Sequence, residues 1–266
     1  MTPADRPGYA ALPLRPRAAK PRTSGLTVTV EFGTPLDLQR DQLRVHGHAL
    51  DLAKVAVGIA GLLPDGVLEE KVTAYRDAGV ECFPGGMYLE YAHLHGREEA
   101  YLDATVAAGF RVVEVSENAE RLGEGVRERL VRDALSRDLV VLGEVGSKSV
   151  HSTAAGLLDD ARSLRDLGCW KVLVEGAELL EDGVVRTDVV DAIAAGLDLE
   201  DVVFELPGPW IPGVSLHHVH AMTAFLLAEF GPEVSLANVV PEDVLFLEAR
   251  RRGVGPALAT PAEVDA

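Results

Sequence analysis

The stretch LVVLGEVGSKSV, residues 139–150, concentrates more chemistry than any other in the chain. An apolar run ends on Glu144, and past a Gly146–Ser147 turn comes Lys148. These charges form either a solvated loop or half of an active site. A lone glutamate after an apolar run is more often a loop residue or a charge near a helix N-terminus. Here the pattern recurs. Glu31 ends the run 26–31, Glu114 and then Ser116 close 111–115, Glu175 ends 171–175, Glu205 ends 201–205, and Asn238 follows 234–237. Lys54 lies within 52–57. The run 79–83 leads into Pro84-Gly85-Gly86, a turn whose backbone N–H groups can approach a ligand closely. Burying so many carboxylates in one place is costly unless cations compensate. Lys54, Lys148 and a divalent ion are the available compensators, and an all-oxygen donor set favours Mg²⁺ over zinc.

Other chemistry-bearing residues carry weaker signals. His217 and His220 stand one helical turn apart, a metal-binding spacing without a third ligand. Trp170 and Trp210 read as packing residues or loop covers. Arg250, Arg251 and Arg252 end a helical stretch, where cations suit the helix dipole, and a phosphate contact there is not required.

The elements that must position these groups follow a rhythm. Eight β-rich runs, 26–31, 52–57, 79–83, 111–115, 139–145, 171–175, 201–205 and 234–237, alternate with amphipathic stretches such as VLEEKVTAYRDAG (67–79) and EEAYLDATVAAG (98–109). Near-continuous apolar strands suit a parallel sheet covered by helices. Eight βα repeats at spacings of roughly 25 to 35 residues predict a single (β/α)8 TIM barrel, whose chemistry sits at the C-terminal ends of the strands. An open doubly wound sheet is the alternative, weakened because no GxGxxG opens the first βα turn.

The chain has 266 residues, 47% of them hydrophobic, enough for one large α/β domain. With 25 Lys+Arg against 42 Asp+Glu, the net charge of −17 argues against nucleic acid and anionic membranes as partners. Cys82 and Cys169 read as buried free thiols in a reducing compartment. No apolar run approaches the roughly 18 residues of a membrane span, and the start lacks a signal peptide's apolar stretch, so the expected location is cytoplasmic. The basic, proline-containing residues 1–19 read as a partly disordered arm, 20–260 as the barrel and 261–266 as a tail. A homo-oligomer is the expected assembly.

Several segments together resemble the phosphosulfolactate synthases. They are KPRxxG (Lys20 to Gly25), Lys54 in LAKVAVG, LEEK (68–71), PGGMYLE (84–90), VEVS (113–116), GEVGSKS (143–149), KVLVEG (171–176), VFELP (203–207) and FGPEVSLANV (230–239). The resemblance implies a Mg²⁺-dependent barrel lyase that adds sulfite to phosphoenolpyruvate, an early step toward coenzyme M. It implies that Lys148 protonates the carbon next to the carboxylate, and it matches the family's strand-end acids to Glu114, Glu144, Glu175 and Glu205 as the metal set. Lys54 matches the family's second-strand lysine, so Lys148, Lys54 and Glu144 become the expected catalytic residues. Glu31, Gly85, Gly86, Ser116, Ser147 and Asn238 become the expected substrate contacts.

Departures from the family pattern share one direction. The first strand ends Glu31-Phe32-Gly33 where the family has Asp-Lys-Gly or Asp-Asn-Gly. Gly-Trp-Gly-Thr-Ser becomes Val55 to Ala60, and PGGT ends in Met87. The SDG or SNG turn becomes Ser116-Glu117-Asn118, and EARESG or EGRESG becomes Glu175 to Leu180. The final LRxGLRxDT becomes Arg251 to Leu258, without its second arginine and Asp-Thr pair. Cations and hydroxyls suited to phosphate and sulfite are lost, at about 1.5–3 kcal/mol for each charge-assisted bond.

The retained groups suit addition or elimination at a carbon adjacent to a carboxylate or carbonyl, with Lys148 as proton carrier. Burial and Lys54 would lower the Lys148 pKa, the acids would raise it, and the sequence leaves the balance open. The alternatives are a divergent lyase, cyclase or isomerase of secondary metabolism acting on a less anionic substrate, and a non-catalytic barrel. The apolar version expects Phe32, Ile59, Met87 and Ala177 to line one pocket.

Overall fold

A computed structural model describes residues 14–118, 122–123, 125–148 and 151–255. Residues 1–13 of the expected arm and the whole expected tail lie outside them. The eight expected strands are present: β1 (Thr27–Glu31), β2 (Leu52–Val55), β3 (Glu81–Pro84), β4 (Val112–Val115), β5 (Val140–Val145), β6 (Lys171–Val174), β9 (Val202–Glu205) and β10 (Ser235–Val239). A short hairpin, β7 (Leu180–Glu181) with β8 (Val184–Val185), interrupts the series. The strands pair in parallel in the order β3-β2-β1-β10-β9-β6-β5-β4, and β3 lies beside β4, completing a (β/α)8 barrel.

Helices α1 (Leu36–His46), α2 (Val67–Asp77), α3 (Gly86–Leu94), α4 (Glu98–Ala107), α5 (Val126–Leu135), α6 (Ala154–Asp166), α7 (Thr187–Gly196), α8 (Leu216–Phe230) and α9 (Val244–Arg251) surround it. The larger apolar cluster fills the space between helices and strands. A smaller one fills the barrel, from Leu26, Val28, Leu52, Phe83, Val112, Leu142, Leu173, Val203 and Ala237. Among the described residues no helix is long and apolar enough to cross a membrane.

Alternation along the strands decides what reaches the mouth. Side chains two apart share a face. Leu52, Val112, Leu142, Leu173 and Val203 point into the barrel, so Lys54, Glu114, Glu144, Glu175 and Glu205 follow them inward. Glu31 is out of phase with Val28, and its carboxylate goes instead to Lys71 of α2.

The opposite end of the barrel is closed by residues 14–25. Arg17 reaches Glu233, Glu248 and the Gly25 carbonyl, and Arg22 pairs with Asp51 at 2.8 Å. Arg251 is fully buried there, donating to the carbonyls of Pro232, Val234 and Leu26. This places it at the floor, away from the mouth, so a phosphate contact by Arg251 at the catalytic end does not arise.

Candidate active site

The C-terminal mouth encloses a cavity of about 230 Å³, lined in part by Lys54, Glu114, Asn118, Glu144, Lys148, Glu205 and Asn238. Lys54 bridges two strands' acids, 2.7 Å from Glu114 and 2.5 Å from Glu205. Asn238 donates to the other Glu205 oxygen at 2.8 Å, and its positive φ of 59° turns it toward that carboxylate. Lys148, after β5, ion-pairs with Glu175 at 2.7 Å. Four buried carboxyl groups, Glu114, Glu144, Glu175 and Glu205, face two ammonium groups, that of buried Lys54 and that of Lys148, whose side chain is partly open to solvent.

Proton affinities follow from that imbalance. Burial, then Glu205 and Glu144, push Glu175 up to about 8 against the pull of Lys148. Burial raises Glu114 to about 8 as well, with Lys54 opposing and Glu144 and Glu205 assisting. Glu144 is the exception: burial would raise it, but Lys54, Lys148 and the Asn118 amide hold it down at about 2. Burial alone would lower Lys148, yet Glu144, Glu175 and Glu205 outweigh it and hold the ammonium above its ordinary value. Lys54 is likewise raised: Glu114, Glu205 and Glu144 overcome its burial. The balance left open by the sequence falls to the acids.

Glu114, Glu144 and Glu205 each offer an oxygen, all within 4.8 Å of one another. Two further observations suit a divalent cation there. Four carboxyl groups outnumber the two ammonium groups, and the buried oxygen Asn118 Oδ1, on the residue bonded to Glu144, accepts no hydrogen bond. The all-oxygen donor set fits Mg²⁺. Glu175 stands outside this triad, with one oxygen on Lys148 and the other accepting the Ala177 N–H at 3.1 Å.

Other expected contacts go elsewhere. Glu31 is buried against Lys71 at 3.1 Å and accepts the Thr34 N–H. Ser116 is buried and donates to Glu90. Gly85 and Gly86 line the cavity, but the Gly85 N–H is bonded to the Val55 carbonyl and the Gly86 N–H to Glu114 at 2.7 Å. A side chain at Gly86 would collide with Ser116, which explains the glycine. The Ser147 N–H is held by Glu178 at 3.0 Å; Ser149 of the same motif lies outside the described residues. His218 caps α8 with Ser215 and His220 pairs with Asp243, so His217 and His220 do not converge as metal ligands. Phe32 and Met87 line the cavity, whereas Ile59 packs on the outer core and Ala177 is buried in the turn after β6.

Three residues escaped the sequence reading. Asn118 donates to Glu144 at 2.6 Å and reaches toward Glu175 at 3.5 Å. Glu90, on α3, accepts from Ser116 and from the Asn118 N–H, fixing the turn after β4. Glu178, wholly buried, accepts from the Ser147 and Ser152 N–H groups, the Ser152 hydroxyl and Arg186, bracing the loop that carries Lys148. For Asn118 the available signal was the strand-end turn Ser116-Glu117-Asn118.

A family model described as (2R)-phospho-3-sulfolactate synthase (ComA) matches residues 15–255. Phosphosulfolactate synthase of Methanocaldococcus jannaschii is 30% identical over 241 residues, 86% of this chain and 92% of that protein. The Bacillus subtilis enzyme of the same name is 25% identical, over 92% of this chain and 96% of that one. Among solved structures, 3-hexulose-6-phosphate synthase superposes with a TM-score of 0.51 at 16% identity, covering 86% of this chain and 99% of that one. That likeness shows the barrel alone.

Proposed function

This chain belongs to the phosphosulfolactate synthase family of lyases, and from that premise we propose that it adds a sulfur nucleophile to an unsaturated carboxylate, with Lys148 delivering the proton. The parent form of the reaction joins sulfite to phosphoenolpyruvate. The C–S bond forms at the terminal carbon as the C=C π bond breaks. Its electron pair moves onto the carbon bearing the carboxylate, and that carbon takes a proton from the Lys148 ammonium.

The observation that carries this reading is the place of Lys148: its side chain lines the cavity, with the ammonium 2.7 Å from Glu175. Its acidic neighbours raise its proton affinity, so it enters the reaction protonated, and the strongly basic carbanion formed at the reacting carbon draws the proton off it. Glu175, at 2.7 Å and raised to about 8, can return the proton after each turnover. Lys54 stays charged between Glu114 and Glu205 and presents a fixed cation to the acceptor's carboxylate. Glu114, Glu144 and Glu205 would hold Mg²⁺, which when bound stabilises negative charge developing on that carboxylate.

The direct test supplies sulfite, Mg²⁺ and an unsaturated carboxylate, starting with phosphoenolpyruvate, and follows C–S bond formation by NMR. Formation of a sulfonate supports the reading. Unchanged sulfite with every unsaturated carboxylate sinks it.

A further inference from the structure

The cavity is two-sided. Its floor is ionic, but its rim is built from Phe32 after β1, Val57 after β2, Met87 at the start of α3 and Trp210 after β9. Among the described residues, the only lysine or arginine side chains lining it are Lys54 and Lys148, both on the strand-end side among the glutamates and not at the apolar rim. Phe32 and Trp210 form a tilted ring pair with centroids 5.8 Å apart, yet remain 53% and 38% exposed. Large apolar groups held half-open above a charged floor suit a ligand with a charged head and an apolar body.

Two features show that this rim is built. Trp210 lies flat against the backbone of buried Gly208, and a Cβ at position 208 would overlap the indole ring. Only glycine lets the ring lie where it does. Val57, a β-branched residue, is held at a φ of 45°, a conformation such residues avoid, and its side chain is 42% exposed at the rim.

We propose that Phe32 and Trp210 select an acceptor whose reacting double bond carries a planar apolar substituent, of the 2-arylacrylate class. This rests on the addition chemistry proposed above. Sulfite bonds to the terminal CH2, the π pair moves to the aryl-bearing carbon, and Lys148 protonates that carbon, giving a 2-aryl-3-sulfopropanoate. The carboxylate meets the lysines on the floor, and the aryl ring meets the aromatic pair. A phosphate dianion in the ring's place would face apolar carbon. Gly208 is a positioning residue that acts through Trp210.

The test measures kcat/KM for 2-phenylacrylate, acrylate and phosphoenolpyruvate with sulfite and Mg²⁺. Wild type is expected to prefer 2-phenylacrylate to acrylate by about a hundredfold, the value of burying one aromatic ring. Phe32→Ala, Trp210→Ala and Gly208→Ala should each reduce that ratio by about tenfold, the last also shifting the tryptophan emission. A wild-type preference for phosphoenolpyruvate, or variants that leave the ratio unchanged, would overturn the proposal. A binding arm keeps it separate from the chemistry: calorimetry with 2-phenylpropanoate and with phospholactate, which cannot react. Tighter binding of 2-phenylpropanoate, weakened in Gly208→Ala, supports the selection even if no acceptor turns over; tighter binding of phospholactate contradicts it.

Discussion

At the scale of single residues, the site is a problem of charge balance solved by neighbours. Glu144 stays ionised while Glu114 and Glu175 are pushed upward, because Glu144 feels both Lys54 and Lys148 and takes the shorter Asn118 hydrogen bond, at 2.6 Å. Asn118 therefore adds to the two lysines in keeping Glu144 charged. Replacing it with alanine should weaken Mg²⁺ binding by about tenfold, the usual cost of losing a hydrogen bond to a metal-holding carboxylate. Titration calorimetry against Mg²⁺ reads this, and an unchanged affinity would remove Asn118 from the role. Glu144 and Lys148 were legible in the sequence because a charge ending an apolar run recurs at several strands. Asn118 and Glu178 were not, because each acts on groups distant in the chain, at Glu144 and at Ser152, and only folding makes them neighbours.

At the scale of elements, strand phase explains most of what the sequence reading found and one thing it missed. The eight strands were visible as apolar runs. Helices α1 and α3 carry a weaker helical pattern, since α1 has a narrow apolar stripe and α3 is apolar nearly all round. Glu31 occupies the same place in its run as the other strand-end acids, yet counting by twos from Val28 turns it outward. There its partner is Lys71, one of the largest fully buried side chains in the protein. Lys71 also donates to the Thr34 carbonyl and Gln39. Lys71→Met should cost about 3–5 kcal/mol by leaving a buried carboxylate unpaired. Urea unfolding measures it, and a loss below 1 kcal/mol (about the worth of a surface pair) would mean that the pair is not structural.

At the scale of the whole molecule, the barrel separates its duties. One end is sealed by residues 14–25 and Arg251, and the other gathers the carboxylates, the lysines and the aromatic rim. The gathering makes metal binding depend on pH. With Glu114 raised to about 8, its carboxyl carries a proton at pH 7, and a cation must displace it. Below about 8, affinity should therefore rise as pH rises, by up to tenfold per unit for one proton released, and level off above it. Calorimetry with Mg²⁺ at pH 6.5, 7.5 and 8.5 should show stronger binding and less proton release at each step. Affinity independent of pH would contradict the raised Glu114. Chelation should abolish turnover and added Mg²⁺ restore it. The barrel and its ionic floor could be read from the strand ends, and Phe32 and Met87 of the rim from the departures after β1 and β3; the seating of Trp210 could not, because it depends on Gly208 and on a partner, Phe32, far away in the chain.

The central claim is that Lys148 places a proton on the carbon next to the carboxylate. The reaction run in D2O with sulfite, Mg²⁺ and phosphoenolpyruvate or 2-phenylacrylate tests it most directly. Product NMR should show one deuterium at that carbon in a single configuration, with Lys148→Ala slower by about 10²–10⁴-fold. Deuterium on both faces of that carbon, or a Lys148→Ala enzyme as fast as wild type, would contradict the account.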